Sequence, residues 1–497
     1  MRLIASDFIT YYRPSPCDLR VWLRQRGEEQ REPSAYDEVL SRLGLRHEKE
    51  HLSVLGAHTD FSGLPEDERL KKSLEAVNAR VPVLYQPAFL VTHIFGASEV
   101  EIFGIPDFLV IDGGSYLIRD AKMSRRIDEK NHPEILLQLQ LYGWLFEKSC
   151  GIRPTALQVF SGMNEIITIS YDGGAAVLAA LARLLAIKLR PTEAYEPVGW
   201  SKCEPCGFSE RCWNRAELAQ NVALLPDVDQ NLARTLNGMN IHTWKELLDS
   251  FDVRSLSELK RPSGNSERRV GKTAERILQF AEAMEKQQEK ILAPPLIPEF
   301  PNYVMFDLEG MPPHLDELDK IYLWGMQVFG NNPSEFMSAV SDFGPNGDKE
   351  CWLAFLKTAK HIFETYGDIP FVHWASYEKT YLMRYIQRFG DAEGTAARVI
   401  ANLLDLLTIT ENSIILPVPS FGLKVIEKYI GYKRKQTEYG GQWAMAMFIE
   451  ATETNDQVKR KHLMDEILAY NKEDLESTWA VFEWLRKKLP PVITPEC

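Results

Sequence analysis

Apolar positions along this chain change period several times, and the changes mark out its elements. In the run that Pro133 opens, Leu137, Leu141, Trp144 and Leu145 recur at helical spacing, which predicts a helix over 133–148. Helices are predicted in the same way over 17–25, 35–55 and 174–189. Between them, 83–91, 99–111, 115–121 and 157–171 read as strands bounded by Gly, Pro and Asp, with Asp112-Gly113-Gly114 as a hairpin turn. Residues 216–293 show short helical periods and no convincing strand. Ile291-Leu-Ala-Pro-Pro-Leu-Ile-Pro-Glu-Phe-Pro301 then breaks all periodicity, because proline fixes the backbone and removes amide donors.

Beyond that break the pattern turns extended at 303–308, 321–329 and 335–340. A helix over 348–366, a strand over 370–374 and a run of helices to the end follow. Strands first and helices after predict a small mixed sheet flanked by helices. The organisation expected is therefore an α/β domain at 1–215, a helical region at 216–293, a linker at 294–301 and a second α/β domain at 302–497. A length of 497 residues requires such a division, since it exceeds what one core supports.

Composition adds limits. A hydrophobic fraction of 45% and a charged fraction of 26% are those of a globular protein. The longest apolar helical stretch, 177–189, carries Arg183 and Lys188 and is too short to span a bilayer, so no membrane partner is expected and the cytoplasm is the default location. There the seven cysteines are expected to stay reduced, which makes metal ligation the leading use of any that cluster. The net charge of −13 argues against broad attraction to nucleic acid but leaves room for a local patch. Lys260, Arg261, Arg268, Arg269, Lys272 and Arg276 make one, and Arg268, Arg269 and Lys272 are its candidate phosphate contacts.

Candidate chemistry begins with Asp107, at a strand end in Gly-Ile-Pro-Asp, and with Asp120-Ala-Lys122 on the strand after the hairpin. Residues two apart on a strand share a face, so the Asp120 carboxylate and the Lys122 ammonium converge. Hard oxygen ligands suit Mg²⁺ or Mn²⁺, and His47 on an early helix would add a ligand. Cys203-x2-Cys206-x5-Cys212, with Cys17 near the other end of the domain, supplies four thiolates; spacing alone leaves zinc and an iron-sulfur cluster both open.

The order His47, Asp107, Asp120-x-Lys122, then a helix with Gln138-x3-Tyr142, resembles the PD-(D/E)xK nucleases of the RecB and CRISPR-adaptation type. That resemblance implies that Gln138 and Tyr142 support the lysine and the substrate. It also favours a four-iron four-sulfur cluster over zinc, since iron-sulfur members place one cysteine before the core and three after it.

In the middle, 225–248 resembles a helix-hairpin-helix unit, with a second copy expected over 256–278. Such hairpins aim backbone amides at phosphates. Gly271-Lys272-Thr273 is not an ATPase phosphate loop, because position 266 is Ser and no strand is expected before it.

In the last segment, Asp307 and Glu309 share a strand face, and Tyr470 and Asp474 lie one helical turn apart. This set resembles the DEDD exonucleases of the ribonuclease H-like fold. By that resemblance Glu378 stands where the family has Asp, with Asp405 a possible substitute. The whole chain resembles RecB-family nucleases that join the two domain types. The resemblance implies a metal-dependent nuclease acting on DNA ends or single strands in repair, recombination or defence, with a helicase as a possible partner. The alternatives are a nucleic-acid-binding scaffold or helicase-associated subunit with a degenerate site, and an RNA exonuclease working through the C-terminal domain.

Overall fold

The computed structural model describes residues 1–194, 199–264, 266–311, 319–342, 344–435 and 440–488; Cys497, read from the sequence as an ordinary thiol, lies outside them. The chain forms two compact units. The first comprises Met1–Pro33, Asp37–Glu196 and Glu204–Ser209, and the second comprises Ser34–Tyr36, Pro197–Cys203 and Glu210–Cys497.

In the first unit a six-stranded sheet runs in the order Thr59–Asp60, Val83–Tyr85, Phe108–Asp112, Ser115–Lys122, Leu157–Ser161, Ile166–Ile169. Its centre is the antiparallel hairpin Phe108–Asp112/Ser115–Lys122, in which Phe108 faces Arg119. Ser115–Lys122 is parallel to Leu157–Ser161. Parallel neighbours need a crossover, here the helix Pro133–Cys150. It starts with Pro at its first turn and ends at Gly151, whose φ of 70° an L side chain adopts only with strain. Its buried face includes Ile135, Leu139, Leu141, Leu145 and Phe146.

Three expected strands are each two. The stretch 83–91 splits into Val83–Tyr85 and Phe89–Phe95, which belong to different sheets. The break is Gln86-Pro87, where Gln86 takes a φ of 52° and Pro87 has no amide hydrogen to donate. Pro106 divides 99–111 into Ser98–Gly104 and Phe108–Asp112 in the same way, and 157–171 folds back as a hairpin. A three-stranded sheet of Arg2–Ile4, Ser98–Gly104 and Phe89–Phe95 packs beside the crossover helix.

The second unit holds both the helical region and the C-terminal sheet, and one buried apolar cluster joins them, including Leu232, Leu236, Ile277 and Phe280 with Tyr303, Leu406 and Phe482. Helix Gln230–Gly238 is capped by Asp229, and Trp244–Ser250 by a reciprocal Thr243/Glu246 box. The second helix-hairpin-helix copy expected over 256–278 is not what forms. Lys260–Ser263 and Ser266–Arg269 make an antiparallel two-stranded ribbon before helix Ala274–Lys286. The ribbon contains no apolar residue, so no periodicity announced it. A strand therefore does precede Gly271-Lys272-Thr273, contrary to expectation, although Ser266 still stands where a phosphate loop needs glycine. Lys290–Ile291, just ahead of the proline-rich stretch, pairs with Ile414–Ile415.

The five-stranded sheet runs Met337–Val340, Lys320–Gly330, Asn302–Met311, Phe371–His373, Leu403–Asp405. The first three strands are antiparallel and the last two parallel to Asn302–Met311. The three-residue strand Leu403–Asp405 lay inside the expected run of helices and was too short to show a period. The 32-residue helix Gln457–Lys488 packs across Asn302–Met311 and Lys320–Gly330. No described helix is long and apolar enough to cross a membrane.

Candidate active sites

The first site is set by strand register. Since Phe108 faces Arg119, Asp107 just ahead of its strand comes opposite Asp120. The Asp107 amide donates to Asp120 Oδ1 at 3.0 Å, and the Ala121 amide donates to Asp107 Oδ2 at 2.9 Å. Lys122 Nζ lies 2.7 Å from Asp120 Oδ2, as the shared strand face requires. From the crossover helix, Gln138 Nε2 reaches Asp120 Oδ2 at 2.9 Å and the Tyr142 hydroxyl at 2.9 Å. Tyr142 can approach because residue 104 is glycine: a Cβ there would lie 2.8 Å from its ring.

Burial, with the Asp120 charge adding to it, pushes the Asp107 carboxyl well above the ordinary range. For Lys122 burial works against the charge, but Asp120 and Asp107 outweigh it and hold the ammonium above its usual value. The buried Asp120, the half-buried Asp107 and one lysine thus form an assembly with one carboxylate more than it has cations, a setting that suits a divalent cation. Asp107 and Asp120 would hold it.

Five of the predicted residues, Asp107, Asp120, Lys122, Gln138 and Tyr142, are in this assembly. The contacts of His47 are with Phe160, on which it stacks with ring centroids 4.7 Å apart, as does His51 one turn along at 4.0 Å. The neighbouring Glu48 is the residue whose charge acts on Asp107, Lys122 and Tyr142. Its Oε1 accepts from the Tyr85 hydroxyl at 2.7 Å and from Gln86 Nε2 at 2.8 Å. Sequence reading missed it because an isolated Glu on a helix carries no signal.

Of the four cysteines, Cys17 and Cys206 fall in the first unit, and Cys203 and Cys212 in segments of the second. None of the described cysteines is in a disulfide. Arg20 Nη1 points at Cys206 Sγ from 3.7 Å. Burial raises the Cys17 thiol and Arg20 opposes that shift.

In the second unit, alternation along Asn302–Met311 puts Asp307 and Glu309 on one face, and Asp474 arrives from the long helix. Ligand atoms of these three all lie within 4.8 Å of one another. Asn471, on the same helix face, donates from Nδ2 to Asp307 Oδ2 at 2.6 Å. It fits because its partner position across the sheet from Asp307 is Gly325, where a Cβ would come within 1.8 Å of the Asn471 amide oxygen. Burial pushes all three carboxyls up, with repulsion from neighbouring carboxylates adding to it at Asp307 and at Glu309, which is raised to about 8; at Asp474 the cations Arg434 and Lys424 oppose the shift. Tyr470 is buried beside Asp474, and its hydroxyl is held above the usual range by burial and by that carboxylate. Such a cluster of hard oxygens fits a divalent ion, which would relieve the repulsion.

Glu378 is not in that group of three. It is buried at the start of helix Tyr377–Phe389, with Oε2 3.1 Å from His373 Nδ1. Asp405 caps helix Leu406–Ser413 by accepting from the Thr408 amide and hydroxyl. Two cations that sequence reading did not single out face Asp474. Arg434 is ion-paired with it and with Glu427, and Lys424 feels its charge.

In the helical region, Arg269 is paired with Glu258, Arg261 with Asp229 and Lys260 with Glu267. Among the described residues, Arg268 and Lys272 have no such partner.

Comparison with known proteins follows the same division. Residues 19–213 match the model of the PD-(D/E)XK nuclease superfamily, and residues 304–486 match that of the RNase H superfamily. No curated protein matches the chain. Among solved structures, one titled "Crystal structure of SSO0001" is similar at 17% identity over 42% of this chain and 85% of its own, with a TM-score of 0.22. The chain thus carries two nuclease folds, a PD-(D/E)XK nuclease domain at 19–213 and an RNase H-like domain at 304–486.

Proposed function

We propose that the protein is a metal-dependent nuclease that hydrolyses phosphodiester bonds of DNA at ends or in single strands. One observation carries the reading: each fold gathers buried and half-buried carboxylates at the place where its strands and helix converge, at Asp107/Asp120 in one and at Asp307/Glu309/Asp474 in the other. Unpaired, such groups are costly, and a divalent ion is the partner that makes them useful. Mg²⁺ or Mn²⁺ bound there would polarise a phosphate and lower the pKa of its water. At the first site Lys122 steadies the developing charge, with Gln138 holding Asp120 and Tyr142 in line. At the second, Tyr470 stands beside Asp474 to orient water, which suits removal of nucleotides from an end.

Cys17, Cys203, Cys206 and Cys212 are proposed to hold a four-iron four-sulfur cluster with a structural role. The lack of a disulfide among the described cysteines and the Arg20 guanidinium beside Cys206 are compatible with thiolate ligation. Arg268 and Lys272 of the exposed ribbon region would contact phosphates without reading sequence. A cytoplasmic role in repair, recombination or defence, alongside a helicase, completes the reading.

End-labelled single-stranded DNA and RNA incubated with the anaerobically purified chain and Mn²⁺ or Mg²⁺ provide the test. Metal-dependent shortening of DNA is expected, with brown protein absorbing near ~400 nm. Shortening of RNA alone would replace the substrate, and no cleavage of either would leave a binding scaffold.

A further inference from the structure

Among the described residues, Arg434 is the cation whose guanidinium is ion-paired with the carboxylate cluster of the second site, and it is not fully used there. Its side chain is 7% exposed. Nε donates to Glu427 Oε1 at 2.6 Å and Nη2 to Glu427 Oε2 at 2.8 Å, a bidentate fork that fixes the plane of the group. Nη2 also reaches Asp474. Nη1 is buried and has no acceptor among the described residues. A buried guanidinium N–H without an acceptor is rare and unfavourable, and structures that keep one commonly do so for a ligand. Glu427 is itself buried and engaged, so it acts as the clamp that orients Arg434.

Asp307, Glu309 and Asp474 converge within 4.8 Å, and a metal ion held by Asp307 and Glu309 would leave Asp474 still matched by Arg434. A planar, permanently charged donor next to the metal position and holding a spare N–H is suited to a non-bridging oxygen of a phosphodiester, and would stabilise the charge that builds on it as the bond breaks.

We infer that Arg434 is a substrate-contacting residue of the RNase H-like site, donating from Nη1 to the phosphate of the nucleic acid, with Glu427 as its positioning residue. The inference rests on the proposal that this site hydrolyses phosphodiesters.

The test uses the full chain carrying Asp120→Asn, which silences the first site, with Mn²⁺ and two probes: an end-labelled oligonucleotide and inorganic phosphate. Arg434→Ala is expected to lower the cleavage rate by about 100-fold, as loss of one charge-stabilising donor does elsewhere. Mn²⁺-dependent phosphate affinity should fall by about tenfold, while Mn²⁺ affinity by calorimetry holds or tightens because a competing cation has left Asp474. Added guanidinium should restore part of the rate. Arg434→Lys should recover little, since it lacks the fork. Glu427→Gln should lower the rate less and keep the response to Mn²⁺. Unchanged cleavage and phosphate affinity in Arg434→Ala would overturn the inference. So would a parallel loss of Mn²⁺ affinity without guanidinium rescue, which would make Arg434 only a support for Asp474. If the Asp120→Asn chain cleaves nothing, the nuclease reading of this site fails, and the phosphate titration decides separately: a drop in Arg434→Ala keeps the contact, and no drop removes it.

Discussion

The two carboxylate sites differ in how their charge is managed. In the first unit Asp107 and Asp120 are neighbours across one hairpin, each fastened by a backbone amide, and Lys122 on the same strand already neutralises Asp120. In the second unit three carboxyls from segments more than 160 residues apart in sequence are pressed together with all three pushed up, and the compensating cation, Arg434, comes from a loop. The first site is preorganised by its own strands. The second gathers three raised carboxyls against Arg434, which it shares with Glu427, so its properties should depend more on metal and on pH.

The largest expected effect separates the sites by their fixed cation. Lys122→Ala should cost the first site about 10²–10³ in rate, in line with removal of one charge-stabilising donor. Circular dichroism should stay near wild type, because Asp120 is still bonded to Gln138, while the melting temperature should fall, because the buried Asp120 loses its ion-pair partner. Wild-type rates at saturating Mg²⁺ would mean that the hairpin is not a catalytic site.

Next comes the metal-free pH profile. Burial and the neighbouring Asp474 push the Glu309 carboxyl up to about 8 in the folded chain against about 4.3 unfolded, so the folded state is expected to hold the extra proton between those values. Its contribution to stability is present below about 4.3 and lost as pH rises through 8. Melting of the chelator-treated protein should therefore fall between pH 5 and 8, Mn²⁺ should stabilise more at pH 8 than at pH 5, and Glu309→Gln should flatten both trends. A profile unchanged by Glu309→Gln would remove the repulsion argument.

Glu378 sharpens the contrast from the structural side. It is buried and paired with His373, and its charge also raises Asp307, so Glu378→Asp should break the His373 contact and cost about 1–3 kcal/mol in denaturant unfolding. Higher activity with unchanged stability would instead make residue 378 a ligand position. The smallest effect belongs to the ribbon region: Arg268→Glu with Lys272→Glu should weaken DNA binding of any sequence and flatten the salt slope by about 2, measured by anisotropy across a salt series.

What was legible follows from locality. Asp107 and Asp120-x-Lys122 could be read because a hairpin fixes their register, and Tyr470/Asp474 because one helical turn does. His47 was preferred to Glu48 as a familiar ligand, yet adjacent helix residues point about 100° apart, and the face of His47 and His51 is taken up by Phe160. Arg434 and Asn471 have no spacing rule: their places depend on the fold of the second unit and on the missing side chain at Gly325. The basic ribbon escaped because periodicity arguments need apolar residues, and it has none.

Cleavage of end-labelled DNA and RNA by four full-length chains, wild type, Asp120→Asn, Asp307→Asn and the double variant, tests most directly whether one protein holds two independent metal-dependent nuclease sites. Each single variant should lose a distinct part of the activity, differing in product pattern or in pH dependence, and the double variant should lose all of it. A single variant that abolishes everything, or a double variant that still cleaves, would contradict the two-site reading.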